Sequence, residues 1–236
     1  MRGRAVSRRR LLGLALPLSA GLAVWNNLVV QRLPASYVVA NATATAVVLA
    51  AARWTGLSPE ELGLARRAVP AGLRWGGACV LPVAAGYGVA VAVPALRPLL
   101  RDGRVAGRDR ADLAHHALVR IPVGTVLWEE VAFRGALLAV LLRLLPPPAA
   151  VAGSSVLFGI WHVRPTLEGL AANDLAGGPV ATGTAVLVGC LGTTAAGTLF
   201  TALRLRSGSL LAPALLHLAT NSLGVGAAAT AHRLSG

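Results

Sequence analysis

The chain has no lysine, only nine acidic residues and only two cysteines among 236 residues. Charged side chains make up 13% of it and aromatic ones 4%. An ordinary soluble domain carries roughly 25% charged residues. A chain that is 55% hydrophobic with so little charge cannot cover itself with a soluble surface. Cys79 and Cys190 lie in separate apolar runs and no Cys-x-x-Cys spacing occurs, which leaves no support for a thiolate metal site. Both read as buried spectator thiols.

The net charge of +13 is carried by arginine alone. The arginines cluster between apolar runs, which fits anionic lipid headgroups and topology control and argues against a nucleic-acid partner. Several apolar runs reach the ~18–20 residues needed to cross hydrocarbon. The fold class read from this pattern is all-α: a polytopic transmembrane bundle of about seven spans around an intramembrane polar cavity.

The first run, Leu11 to Val30, follows Arg2, Arg4, Arg8, Arg9 and Arg10, and reads as a membrane helix with its N-terminus inside rather than a cleaved signal. Further runs are Ala35 to Ala52, Trp75 to Leu96, Ala117 to Leu145, Ala149 to about Leu170, Thr184 to Leu203 and Leu210 to Ala229. Between the second and third, Ser58-Pro59-Glu60-Glu61 predicts a short capped surface helix. Residues 97–116 are the most charged stretch, and their arginines conflict with an outside location. Residues 1–116 are read as N-terminal membrane helices with a basic segment, 117–226 as a functional core and 227–236 as a tail. No internal repeat is evident, so the paired halves of a secondary transporter have no support.

Two of the nine acidic residues, Glu129 and Glu130, stand side by side in the fourth run. A charge near the bilayer centre costs about 2.5–3.5 kcal/mol on insertion scales. Arg134 lies four residues after Glu130, on the same helix face, and can pair with it. Glu129 points about 100° away and has no such partner. His162 follows Phe158 by four residues in the fifth run, and His217 precedes Asn221 by four in the last. The first three runs carry almost no comparable polar groups, whereas the later ones concentrate them. His115, His116 and His232 receive no role.

A carboxylate, two imidazoles and an amide facing one another can hydrolyse a peptide. The carboxylate takes a proton from water, one imidazole holds that water, and the other imidazole and the amide donate to the oxyanion. The same groups could instead hold Zn²⁺ with one open position. Each has a plain structural alternative: a buried ion pair for Glu130 and Arg134, and interhelical hydrogen bonds for the histidines and Asn221.

Glu129-Glu130-Val-Ala-Phe-Arg134, Phe158-Gly-Ile-Trp-His162 and His217-Leu-Ala-Thr-Asn221 resemble, in order, the three motifs of the CAAX-protease and bacteriocin-processing family of intramembrane proteases. The resemblance implies that Glu129 activates water with help from His162, that His217 and Asn221 stabilise the oxyanion, and that Glu130 orients the site through Arg134. It leaves two chemistries open: a metal-free glutamate mechanism, or a zinc site built from Glu129, His162 and His217. The composition is that of a high-GC bacterial chain, so a cell-membrane location and a peptide or membrane-protein substrate are expected rather than a prenylated one. The alternative is a non-catalytic scaffold or bacteriocin self-immunity protein of the same fold.

Overall fold

The computed structural model describes residues 7–235; Arg2 and Arg4 of the basic N-terminal stretch and Gly236 of the tail lie outside the described residues. The described chain is all-helical, without a strand. Eight helices carry it: α1 (Arg8–Arg32), α2 (Pro34–Thr55), α3 (Arg66–Ala92), α4 (110–144), α5 (Pro147–Trp161), α6 (Val163–Ala172), α7 (Pro179–Ser207) and α8 (Leu211–Ser235). Proline and glycine set most of the boundaries. Pro147 opens α5 and Pro179 opens α7, where the missing N–H would have been unpaired anyway. Gly56 (φ 97°) and Gly208 (φ 67°) close α2 and α7 in the left-handed conformation that a side chain disfavours. Asp109 caps α4 by accepting the Asp112 N–H at 2.8 Å.

Five of these helices, α1, α2, α3, α7 and α8, are long and apolar enough to cross a bilayer by length and composition. Two of the seven expected runs behave differently. The run in α4 carries Glu129, Glu130 and Arg134, so no window through them is free of charge. α5 has only 15 residues before it breaks at His162, which places that histidine at a junction rather than inside a helix. The predicted helix at residues 58–64 is a single capped turn. Ser58 N–H donates to Glu61 Oε2 at 2.8 Å and Glu61 N–H to Ser58 Oγ at 3.2 Å, but Gly63 (φ 74°) ends the turn at once. The basic segment around 204–209 is mostly helix, because α7 runs through Arg204 and Arg206 to Ser207.

The ends of the bundle are defined by contacts. At one, Arg143 Nε pairs with Glu61 Oε1 at 2.5 Å and Leu210 N–H donates to Gly63 O at 2.9 Å. At the other, Gly103 N–H donates to Asn173 Oδ1 at 2.9 Å and Arg97 Nη1 to Leu234 O at 3.2 Å. The charged 97–116 segment therefore shares an end with the α6–α7 loop and the end of α8, and is held in turns by an Arg104–Asp102 pair at 2.8 Å. That pair holds the Asp102 carboxyl below its ordinary range although burial opposes it.

Close helix crossings depend on glycine. A Cβ on Gly72 would stand 2.9 Å from Leu211 Cβ, and one on Gly76 2.9 Å from Leu215 Cβ and 3.0 Å from the Ala212 carbonyl. Four residues apart on α3, these two glycines let α8 approach backbone to backbone, as small residues do where lipid supplies no hydrophobic drive. The core is finished by aromatics. Trp25, Trp128 and Trp161 succeed one another at centroid separations of 6.3 and 6.2 Å, and Phe133 meets Trp161 edge-on at 5.6 Å.

The reading that the first three runs hold almost no interior polar groups is corrected by the structure. Asn26 and Asn41 are buried, at 3% and 0% exposure. Asn41 accepts from Trp25 Nε1 and donates to the Gly124 carbonyl, both at 2.7 Å, and so ties α1, α2 and α4 together. The sequence around Asn41 is so apolar that these tertiary partners are what make its burial tolerable.

Candidate active site

α4 delivers the carboxylates. It is wound in the wider i→i+5 register over His116–Leu127 and again over Glu130–Leu137, with Glu129 close to the join. Pro122, which lacks an N–H, lies in the first of these stretches. Such widened turns commonly mark functional positions in helices. Both glutamates and Arg134 are buried, at 4%, 2% and 1% exposure.

The two carboxylates have different surroundings. Glu130 Oε1 accepts from Arg134 Nη1 at 3.2 Å and from His217 Nδ1 at 2.9 Å. Arg134 is further held by the face of Phe158, 3.9 Å from its Cζ, with Phe200 at 5.0 Å. Glu129 Oε1 accepts from Trp161 Nε1 at 2.9 Å. Glu129 Oε2 is buried, has no hydrogen-bond partner, and faces His217 Nε2 at 3.8 Å.

His217, from α8, thus stands between the two carboxylates. Because Glu130 Oε1 can only accept, Nδ1 of His217 carries the hydrogen, and Nε2 is the nitrogen that faces Glu129. When Nε2 is also protonated, the ring is an imidazolium, and two carboxylates, one guanidinium and one imidazolium sum to zero. Paired charges of this kind are the tolerable form of buried charge.

His162 occupies the break between α5 and α6 (φ −92°, ψ 6°) and is partly exposed. Its Nδ1 bonds the Phe158 carbonyl at 2.7 Å, and its ring stands edge-on to Phe158 with centroids 4.5 Å apart. A carbonyl only accepts, so Nδ1 is the protonated nitrogen and Nε2 holds the lone pair. Asn221 lies in a widened turn of α8, Ala219–Leu223, half-buried. Its side chain makes no hydrogen bond within the described residues.

The structure therefore gathers Glu129, Glu130, Arg134 and His217 into one contacting cluster and sets His162 beside it through the shared Phe158 ring, whose centroid is 6.3 Å from that of His217. Asn221 is not in that contact network. Among the described residues, no three His, Cys, Asp or Glu side chains are grouped to hold a metal ion. His217 Nδ1 is engaged by Glu130 and His162 Nδ1 by the Phe158 carbonyl, which leaves the Nε2 atom of each ring free of a protein hydrogen bond. A groove of about 620 Å³ lies away from this cluster, between α1 and α2, lined by residues such as Gly13, Pro17 and Val47, with Trp25 and Trp128 in its wall.

Two groups of residues escape a reading by motif. Trp161 supplies the only hydrogen bond that Glu129 receives among the described residues. Asn26 and Asn27 of α1 bond the backbone on both sides of His162: Asn26 Nδ2 donates to Trp161 O and Asn27 Nδ2 to Ile160 O, both at 3.0 Å, and Asn27 Oδ1 accepts from Arg164 N–H at 2.9 Å. Their one sequence signal is a pair of adjacent amides inside an apolar run.

A polytopic helical membrane protein with a buried cluster of carboxylates, imidazole and guanidinium is the class that fold and site define. Residues 113–223, which carry all three motifs, match the family model described as Rce1-like, type II CAAX prenyl endopeptidase Rce1-like, and the match supports membership of the CAAX protease family. The match supports a membrane protease of the CAAX type acting on peptide or protein. No curated protein and no solved structure matches the chain significantly.

Proposed function

We propose that the chain is an intramembrane endopeptidase in which Glu129 is the general base. The observation that carries this reading is the unequal use of the two carboxylates. Each carboxylate keeps one buried oxygen with no partner, but Glu130 is held through Oε1 by Arg134 and His217, whereas Glu129 Oε1 accepts only from Trp161 and its free Oε2 faces His217 Nε2 at 3.8 Å. A base must have a free oxygen to receive a proton.

Glu129 Oε2 removes a proton from water, and His162 Nε2 accepts the water's other hydrogen and aims its lone pair. The hydroxide adds to the scissile carbonyl carbon. The resulting oxyanion is met by the Nε2–H of a doubly protonated His217 and by the Asn221 amide. As the C–N bond breaks, the proton held on Glu129 passes to the departing amine. Glu130 and Arg134 fix the His217 ring and do not touch the substrate. The peptide bond of a peptide or membrane-protein substrate is the target.

The test uses protein reconstituted in nanodiscs and internally quenched peptides ending in Cys-aliphatic-aliphatic-X, farnesylated or unmodified. Wild type is expected to cleave at least one, and Glu129→Gln to cleave neither. Cleavage by Glu129→Gln at the wild-type rate removes Glu129 as base. Folded wild-type protein that cleaves none of the peptides favours a non-catalytic scaffold and overturns the protease reading.

A further inference from the structure

The matched family segment begins at residue 113, so α1 lies outside it. Yet α1 makes the contacts that define the break carrying His162. The chain leaves α5 at Trp161 and enters α6 at Val163, so the carbonyls at the end of α5 and the N–H groups at the start of α6 lack helical partners of their own. Asn26 takes the Trp161 carbonyl and Asn27 takes that of Ile160 while receiving the Arg164 N–H. The residues before and after His162 are thereby pinned to one rigid element of the bundle.

The asparagines are themselves held. Asn26 is 3% exposed, and its Oδ1 accepts from Gln31 Nε2 at 3.1 Å. Asn27 Nδ2 also donates to Ala23 O at 3.0 Å. Residues Trp25–Val29, which carry both asparagines, are wound in the wider i→i+5 register. The same clamp fixes Trp161, the hydrogen-bond donor to Glu129. One pair of amides thus sets the positions of both groups proposed to handle the water: His162 directly, and Glu129 through Trp161.

We infer that Asn26 and Asn27 are positioning residues for catalysis, acting through His162 and Trp161; the inference rests on the proposed roles of Glu129 and His162. Misplacement of a reacting group by about 1 Å costs on the order of a hundredfold in rate. Asn26→Leu, which removes the donor to Trp161 O, is expected to lower kcat by about tenfold to a hundredfold and leave KM unchanged. Asn26→Gln, which keeps the amide, recovers part of the loss.

The experiment measures kcat and KM on the peptides above, with thermal unfolding of each variant in detergent. It includes His162→Ala and the double variant Asn26→Leu/His162→Ala. The double variant is expected to be no slower than His162→Ala alone, because the asparagine acts through that histidine. Folded Asn26→Leu with wild-type kcat overturns the inference, and so do rate losses that simply multiply in the double variant. If Asn26→Leu fails to fold, Asn27→Ala, at a half-buried position, carries the same test with the same criteria. His162→Ala as fast as wild type removes the proposed site and this inference with it, whereas an inactive His162→Ala beside fully active asparagine variants removes the inference alone.

Discussion

Neutralising one glutamate of the Glu129–Glu130 pair should have effects opposite in kind to neutralising the other. Glu130→Gln keeps an oxygen but removes the charge that Arg134 Nη1 meets at 3.2 Å and His217 Nδ1 at 2.9 Å. Hydrogen bonds to charged groups are worth about 1.5–3 kcal/mol and neutral ones about 0.5–1.5, so two of them lose roughly 2 kcal/mol together. The larger cost is a guanidinium at 1% exposure left without its counter-ion, since breaking a buried pair costs about 3–5 kcal/mol. Glu129→Gln asks for much less. The amide oxygen still accepts the Trp161 N–H, and the nearest basic nitrogen, His217 Nε2, is 3.8 Å away, beyond hydrogen-bond distance. That loss is expected to stay below about 1 kcal/mol. Thermal unfolding in detergent, followed by circular dichroism, should show a clear drop for Glu130→Gln and almost none for Glu129→Gln, while peptide cleavage disappears in Glu129→Gln. Equal destabilisation by the two variants would refute the division of labour, because it would make Glu129 one more member of the structural ion cluster.

Gly76→Ala should destabilise by about 1–3 kcal/mol, because its Cβ would meet Leu215 Cβ at 2.9 Å and the Ala212 carbonyl at 3.0 Å; Gly77→Ala, with nothing within 4 Å, is the control and should be neutral in the same melt. Trp161→Phe removes the donor to Glu129 Oε1 at 2.9 Å while keeping an aromatic ring in the core, and should lower kcat by about tenfold, measured on the quenched peptides. Burial pushes the Glu61 carboxyl up, but its hydrogen bonds to Arg143 and to the Ser58 N–H outweigh that and hold it below the ordinary range. A depressed folded value means the stabilisation is complete above the unfolded pKa of about 4.3 and fades as pH falls through the lower folded value. The difference in melting temperature between wild type and Glu61→Gln should therefore be present at neutral pH and vanish in strong acid.

Much of the helical frame was legible in the chain because lipid imposes a simple rule: an apolar run must satisfy its own backbone, so it is a helix. The proline and glycine positions that end α2, open α5 and α7 and close α7 are local conformational facts and needed no partner. The pairing of Glu130 with Arg134 was equally local, one turn apart on one helix. Where local spacing misled, a tertiary partner had intervened. Asn41 has no partner in its own apolar run, yet it is completely buried because Trp25 and the Gly124 carbonyl satisfy its amide. His162 looked like a mid-helix residue, yet the chain breaks there, and Asn26 and Asn27 from a helix some 135 residues earlier hold the break.

The sequence by itself determined that this is an arginine-rich helical membrane chain with two of its rare acids adjacent inside an apolar run, since composition and periodicity depend only on neighbours along the chain. Only the tertiary structure decided how the two adjacent glutamates differ. One carboxylate meets Arg134 and His217, the other accepts only the Trp161 N–H within hydrogen-bond distance, and each keeps one buried oxygen without a partner. Arg134 is a neighbour on the same helix, but Trp161 and His217 come from α5 and α8, and side chains that distant in sequence meet only when the bundle closes.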